Sequence, residues 1–129
     1  MTNTLKVAVY SRVASADDDR IAGQEEGLLK FADRNGYAEC TCYRDNGESG
    51  LSLNRPGMQR LINDIQGGRV GTVIVLDLNR IARGLQPMIK WCQLIEKHGV
   101  VFISTRGDHM YLDTMLRFWE QPITQDTHE

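Results

Sequence analysis

The sequence predicts an α/β fold: an open, mostly parallel sheet with helices on both faces. Three observations carry this expectation. Short strand-like runs alternate with stretches whose apolar residues recur at helical spacing. Most of the strand-like runs lead into polar, turn-rich loops. The third run, Val73-Ile74-Val75-Leu76, is unbroken, as in a central strand buried on both faces. Alternating strands and helices build parallel sheets with right-handed crossovers. The chain has 129 residues, a length that suits one domain with one core. No internal repeat, low-complexity run or linker divides it.

The first strand covers about Lys6 to Ser11, which is rich in β-formers. Ala16, Asp17, Asp18 and Asp19 after it read as loop. A helix is expected over about Gln24 to Asn35, with Leu28, Leu29, Phe31 and Ala32 on its apolar side. Asn35-Gly36 is a left-handed stop. The second strand, about Ala38 to Arg44, ends in the loop Asp45-Asn46-Gly47-Glu48-Ser49-Gly50, which continues to Pro56. Pro56 suits the first turn of a helix that runs to about Gln66, with Met58, Leu61, Ile62 and Ile65 on one face, until Gly67-Gly68 ends it. The third strand leads into Asp77-Leu78-Asn79-Arg80-Ile81-Ala82-Arg83-Gly84. A helix from about Gln86 to His98 has Met88, Ile89, Cys92, Leu94 and Ile95 as its apolar positions, and Gly99 stops it. Val100 to Ser104 is the fourth strand, followed by a loop from Thr105 to His109. A short helix starts over Asp113 to Trp119, before Pro122 and a polar tail from Thr124 to Glu129.

Composition excludes several classes. Apolar content of 41% and charged content of 25% are ordinary for a soluble globular domain. No apolar run reaches the ~20 residues that a membrane span needs. The first residues lead straight into the strand without a signal peptide, so a cytoplasmic protein is expected. Cys40, Cys42 and Cys92 lack a CxxC pair or a nearby His, so they read as buried or half-buried free thiols rather than a zinc site. His98, His109 and His128 are isolated, with His98 read as a helix-end cation and His128 as part of a loose tail. There is no GxGxxG and no GxxxxGK[ST], which removes the usual signal for a nucleotide cofactor. A formal net charge of −2 gives no bulk attraction to nucleic acid. Any polyanion contact has to come from local clustering of Arg and Lys.

Such a cluster is expected. Parallel strands end on one rim, where open α/β sheets place their chemistry. The loops after the first three strands bring Tyr10, Arg12 and Ser15, then Asp45, Ser49 and Arg55, then Asn79, Arg80 and Arg83. Arginine presents a planar fork of donors that suits phosphate oxygens. The rim reads either as a phosphate site or as arginines that are solvated or paired with Asp45, Glu48 and Asp77.

Several segments, in order, resemble the serine site-specific recombinases of the resolvase/invertase type. Val9-Tyr10-Ser11-Arg12-Val13 is similar to the first-strand motif, and Gln24 to the residue opening the first helix. Asp45-Asn46-Gly47-Glu48-Ser49-Gly50 is similar to the Asp-x-x-x-Ser-Gly loop, and Asn54-Arg55-Pro56-Gly57-Met58 to the Arg-Pro-Gly helix start. Val75 to Arg83 resembles the Leu-Asp-Arg-x-x-Arg motif, and His98-Gly99-Val100-Val101-Phe102 the approach to the fourth strand. The resemblance implies a seryl attack on a DNA phosphodiester, giving a 5′-phosphoserine link and a 3′-hydroxyl, with exchange in an oligomer and no metal or nucleotide cofactor. It implies that Arg12, Arg80 and Arg83 hold the scissile phosphate and that Arg55 assists. Asp45 would orient the arginines or move a proton. Tyr10, Gln24, Ser49 and Asn79 would support the pocket.

The chain departs from that pattern at three places. Ala14 stands at the nucleophile position, and Ser15, in the loop one residue later, is the candidate substitute. Ser11 is expected to point away from Tyr10 and Arg12 by strand alternation. Asn79 stands where the third motif has an acid, keeping hydrogen bonding without charge. The family continues past the position of Asp113-Thr114 into a long helix and a DNA-binding domain. Residues 1–129 are therefore expected to be a catalytic domain without that second domain, hence without its own reader of base edges. Three functions stay open: strand exchange on DNA, as a homo-oligomer or with a full-length recombinase; an inactive domain that binds DNA phosphates or an active recombinase; or an α/β domain for another phosphorylated ligand.

Overall fold

The computed structural model describes residues 5–110 and 112. The short helix expected from Asp113 to Trp119, Pro122 and His128 lie outside the described residues. The elements are β1 (Lys6–Val13), α1 (Asp18–Arg34), β2 (Cys40–Asn46), α2 (Pro56–Gln66), β3 (Val70–Val75), a 3-10 turn (Leu78–Arg80), α3 (Leu85–Lys97) and β4 (Val101–Ser104). The four strands form one sheet in the order β2-β1-β3-β4, with every pairing parallel.

Handedness then decides where each helix goes. The step from β1 to β2 moves one way along the sheet, and the steps to β3 and β4 move the other way. Right-handed crossovers therefore put α1 on one face and α2 with α3 on the opposite face. The packing follows this rule. Val9 and Ile74 pack with Leu28 and Ala32 of α1. Ala8, Tyr10, Val73 and Val75 pack with Met58, Leu61 and Ile65 of α2 and with Met88, Trp91, Cys92 and Ile95 of α3. Alternation along β1 and β3 supplies both cores from the same two strands.

Local chemistry explains where the elements differ from the sequence expectation. α1 begins at Asp18, not near Gln24, because Asp17 is its N-cap: the carboxylate accepts from the Arg20 amide at 3.0 Å. Asp18 and Asp19 then sit in the first turn, where the helix dipole favours negative charge. The acidic run that reads as loop is a helix start. β1 continues to Val13 because β2 runs alongside it as far as Asn46. Pro56 opens α2 as expected, while Leu29 is exposed and Trp91, absent from the expected core, is fully buried edge-on to Phe102. Cys40 is half-buried and Cys92 buried, but Cys42 is exposed on the edge strand β2, which corrects the expectation of three covered thiols. No helix among the described residues is long and apolar enough to cross a membrane.

Candidate functional site

The carboxyl ends of β2, β1 and β3 lie side by side, so their loops meet. Beneath the rim, Asp45 gathers three donors. The Tyr10 hydroxyl donates to it at 2.6 Å, the Gly57 amide at 2.7 Å and the Met58 amide at 2.8 Å. The two amides belong to the first turn of α2, so Asp45 anchors that helix through its unpaired N–H groups and its dipole. Gly57 is required by the approach: a β-carbon there would lie 2.1 Å from the Arg44 carbonyl oxygen. Burial drives the Tyr10 phenol far above its ordinary pKa, with Arg55 opposing and Asp45 adding, so Tyr10 stays a protonated donor.

Arg55 does not stand on the open rim as expected. It is 2% exposed, lies 5.7 Å from the Tyr10 ring centroid, and its Nε is 3.8 Å from Asp45 Oδ2. Its terminal nitrogens donate to main-chain carbonyls, Nη1 to Ser49 at 3.1 Å and Nη2 to Ile81 at 2.6 Å. Arg55 therefore ties the loop after β2 to the loop after β3 from below.

Arg12 does the same from the end of β1. Its guanidinium donates to the carbonyls of Arg80 at 3.1 Å, Glu48 at 2.7 Å and Asn79 at 2.7 Å. Where the alternative reading paired an arginine with Glu48, the bond made by Arg12 is to the Glu48 carbonyl, not its carboxylate. Burial, then the neighbouring Arg55, Arg80 and Arg83, lower the Arg12 pKa from its usual value, while the Tyr10 hydroxyl opposes. It remains a cation. Gln24 fixes the Arg12 main chain by accepting from its N–H at 3.1 Å and donating to its C=O at 3.2 Å.

Arg80 and Arg83 complete the group. Arg80 Nη1 donates to the Arg12 carbonyl at 3.1 Å, and its Nε faces Asp77 Oδ1 at 3.4 Å. Arg83 is exposed, and its guanidinium has no hydrogen bond or ion pair among the described residues. Gly50 shows how closely the arginines meet, since a β-carbon on it would lie 2.7 Å from Arg83 Cγ and 2.8 Å from Arg12 Nη2. The rim thus combines both readings of its arginines: Arg12 and Arg55 are braces on main-chain carbonyls, Arg80 is paired with Asp77, and Arg83 is open.

The hydroxyls are distributed differently. Ser11 is fully buried, and its Oγ has no hydrogen bond among the described residues. Ser49 is exposed, and its Oγ accepts from the Leu51 amide at 3.1 Å. Ala14 and Ser15 form an exposed bend just past β1. Its flanks are held: the Val13 carbonyl accepts from the Gly47 and Glu48 amides at 2.8 and 3.1 Å, and the Asp17 amide donates to Asn46 Oδ1 at 2.8 Å. Asn79 is exposed, with its side chain outside every hydrogen bond among the described residues. Asp77, Gly50 and Gly57 were not among the expected site residues. Tight sequence spacing to arginine marked Asp77, but nothing in the residue types marked the close approaches at the glycines.

Comparison with known proteins shows the family of the chain. The family described as "Resolvase, N terminal domain" matches residues 7–121. A putative DNA recombinase of Bacillus subtilis (strain 168) is 29% identical over 107 residues, which are 80% of this chain and 21% of that protein. The chain thus spans about a fifth of that relative's length. The N-terminal catalytic domain of TP901-1 integrase superposes with a TM-score of 0.71 at 30% identity, covering 90% of this chain and 99% of that one. A resolvase family site-specific recombinase from Streptococcus pneumoniae gives 0.67 at 26% identity, covering 91% and 87%.

Proposed function

The chain belongs to the resolvase N-terminal domain family, and from that premise we propose that it serves DNA strand exchange as a serine-recombinase-type catalytic domain. The observation that carries this reading is the meeting of Arg12 and Arg83 at Gly50, with Arg80 bonded to the Arg12 carbonyl beside them and the Arg83 guanidinium unengaged among the described residues. Cations held in place before the substrate arrives suit a group whose negative charge grows in the transition state. In this reading Arg80 and Arg83 take the phosphodiester oxygens and Arg12 stands behind them. A seryl oxygen attacks phosphorus, the 3′-oxygen leaves as the 3′-hydroxyl, and a 5′-phosphoserine remains. Ser15 is the candidate nucleophile, without a metal or nucleotide cofactor. Asp45 is an anchor and not a proton shuttle in this scheme, because its oxygens already accept from Tyr10 and the α2 amides.

The 129 residues act as one catalytic unit in this reading, as a homo-oligomer or beside a full-length recombinase, and base edges are read by another domain or chain. A second reading is favoured by Ala14, which is exposed at the family's nucleophile position and has no hydroxyl. The domain then binds DNA phosphates, or associates with an active recombinase, without cutting.

One assay separates the two. The protein is incubated with supercoiled or nicked DNA carrying a candidate crossover site, denatured, and examined for a covalent 5′ adduct. An adduct that disappears in Ser15→Ala makes Ser15 the nucleophile. An adduct only in Ala14→Ser shows an intact pocket that lacks its hydroxyl and supports the second reading. No adduct in any form overturns the strand-cleaving reading of this chain by itself.

A further inference from the structure

The resemblance puts the acid of the third motif at position 79, where this chain has Asn79. The carboxylate that meets Arg80 comes from elsewhere. Asp77 is 7% exposed, and its Oδ1 lies 3.4 Å from Arg80 Nε. Both atoms are buried and have no hydrogen-bond partner among the described residues. A buried guanidinium nitrogen and a buried carboxylate oxygen are each costly unless they face one another. The other Asp77 oxygen accepts from Arg106 Nη1 at 3.2 Å, an arginine in the loop after β4.

The 3-10 turn explains why the acid acts from position 77. In that turn, side chains three residues apart eclipse, whereas adjacent ones diverge by about a third of a turn. Asp77 is the N-cap of the turn over Leu78–Arg80, so it stacks over Arg80. Asn79, next to Arg80 in sequence, is exposed, and only its carbonyl is tied, to Arg12 Nη2 at 2.7 Å. With Nε facing Asp77 and Nη1 on the Arg12 carbonyl, Arg80 keeps Nη2 without a hydrogen bond among the described residues.

We propose that Asp77, rather than the residue at 79, positions Arg80 so that its remaining donor is presented to an anionic phosphate oxygen, and that Arg106 fixes Asp77 in turn. The identity of the anion rests on the strand-exchange reading; the positioning of Arg80 does not.

The test follows the arginine Nε–H signals of the full chain by ¹⁵N NMR, beside binding of a fluorescein-labelled duplex oligonucleotide. In wild type, the Arg80 Nε–H exchanges slowly with solvent. In Asp77→Asn it becomes fast, and oligonucleotide affinity falls about tenfold, the scale of one misdirected charge-assisted hydrogen bond. Asp77→Asn combined with Asn79→Asp recovers neither. Should Asp77→Asn fail to fold, Arg106→Ala, at an exposed residue, still speeds exchange at Arg80. An unchanged Arg80 signal in these variants, or recovery in the double variant, overturns the proposal. If wild type binds no oligonucleotide, the strand-exchange reading fails, and the Arg80 signal alone decides the role of Asp77.

Discussion

The Asp45 carboxylate holds the Gly57 amide at 2.7 Å, so near the β2 backbone that a β-carbon on Gly57 would meet the Arg44 carbonyl oxygen at 2.1 Å. Main chain cannot give way there without dragging α2 from the sheet. Gly57→Ala is therefore expected to cost about 3 kcal/mol, at the upper end of overpacking. Asp45→Ala leaves the Tyr10 hydroxyl and two helix amides unserved and strands the buried Arg55, for about 3–5 kcal/mol. Urea denaturation followed by circular dichroism reads both. A midpoint within error of wild type for Gly57→Ala would refute the close approach.

How far the sequence spoke for this site depends on the kind of information. A parallel sheet with helices on both faces was legible in the alternation of strand and helix; the strand order was not, and only once it is given does crossover handedness set the face of each helix. The residue types on the rim were legible because parallel strands share one end. What each side chain grips was not. Arg12 and Arg55 bind main-chain carbonyls, which every residue carries and no pattern marks. Asp17 was hidden as a cap inside an acidic run, since the same residues favour loops and helix starts alike. The partner of Arg80 was not legible either, because in the 3-10 turn the side chain three residues back, Asp77, is the one that meets it.

Glu39 has φ of +56° in the connection between α1 and β2. A β-carbon is disfavoured there by steric contact with the following carbonyl. Glu39→Gly is expected to raise stability by about 0.5 kcal/mol, the relief being partly offset by the freer unfolded chain. A rise in the thermal midpoint tests this, and a fall shows that Glu39 makes a contact worth more than the strain.

The thiols divide by burial. Burial, with Glu96 adding, pushes the Cys92 thiol up to about 11. The exposed Cys42 is raised mainly by desolvation and then by Glu25. Iodoacetamide at pH 8 should label Cys42 first and Cys92 only on unfolding, as read by peptide mass spectrometry. The linkage has one sign: a folded pKa above the unfolded value, about 8.5, leaves stability intact below that value. Stability is lost as pH climbs from there towards 11. Native-state labelling of Cys92 as fast as Cys42 would contradict its burial.

Arg12 and Arg83 both touch the space at Gly50, yet they should fail in opposite ways. Arg12 is 2% exposed and serves three carbonyls from two loops. Arg12→Ala removes those bonds together and is expected to cost about 3 kcal/mol of stability. Arg83 is exposed and unengaged among the described residues, so Arg83→Ala should stay within about 0.5 kcal/mol of wild type. Its effect belongs to the anion. If Arg83 takes a phosphate, its loss weakens oligonucleotide binding and lowers the slope of log affinity against log salt by about one. Titrations at several salt concentrations measure that slope. An Arg83→Ala protein with the wild-type slope places the phosphate elsewhere on the rim.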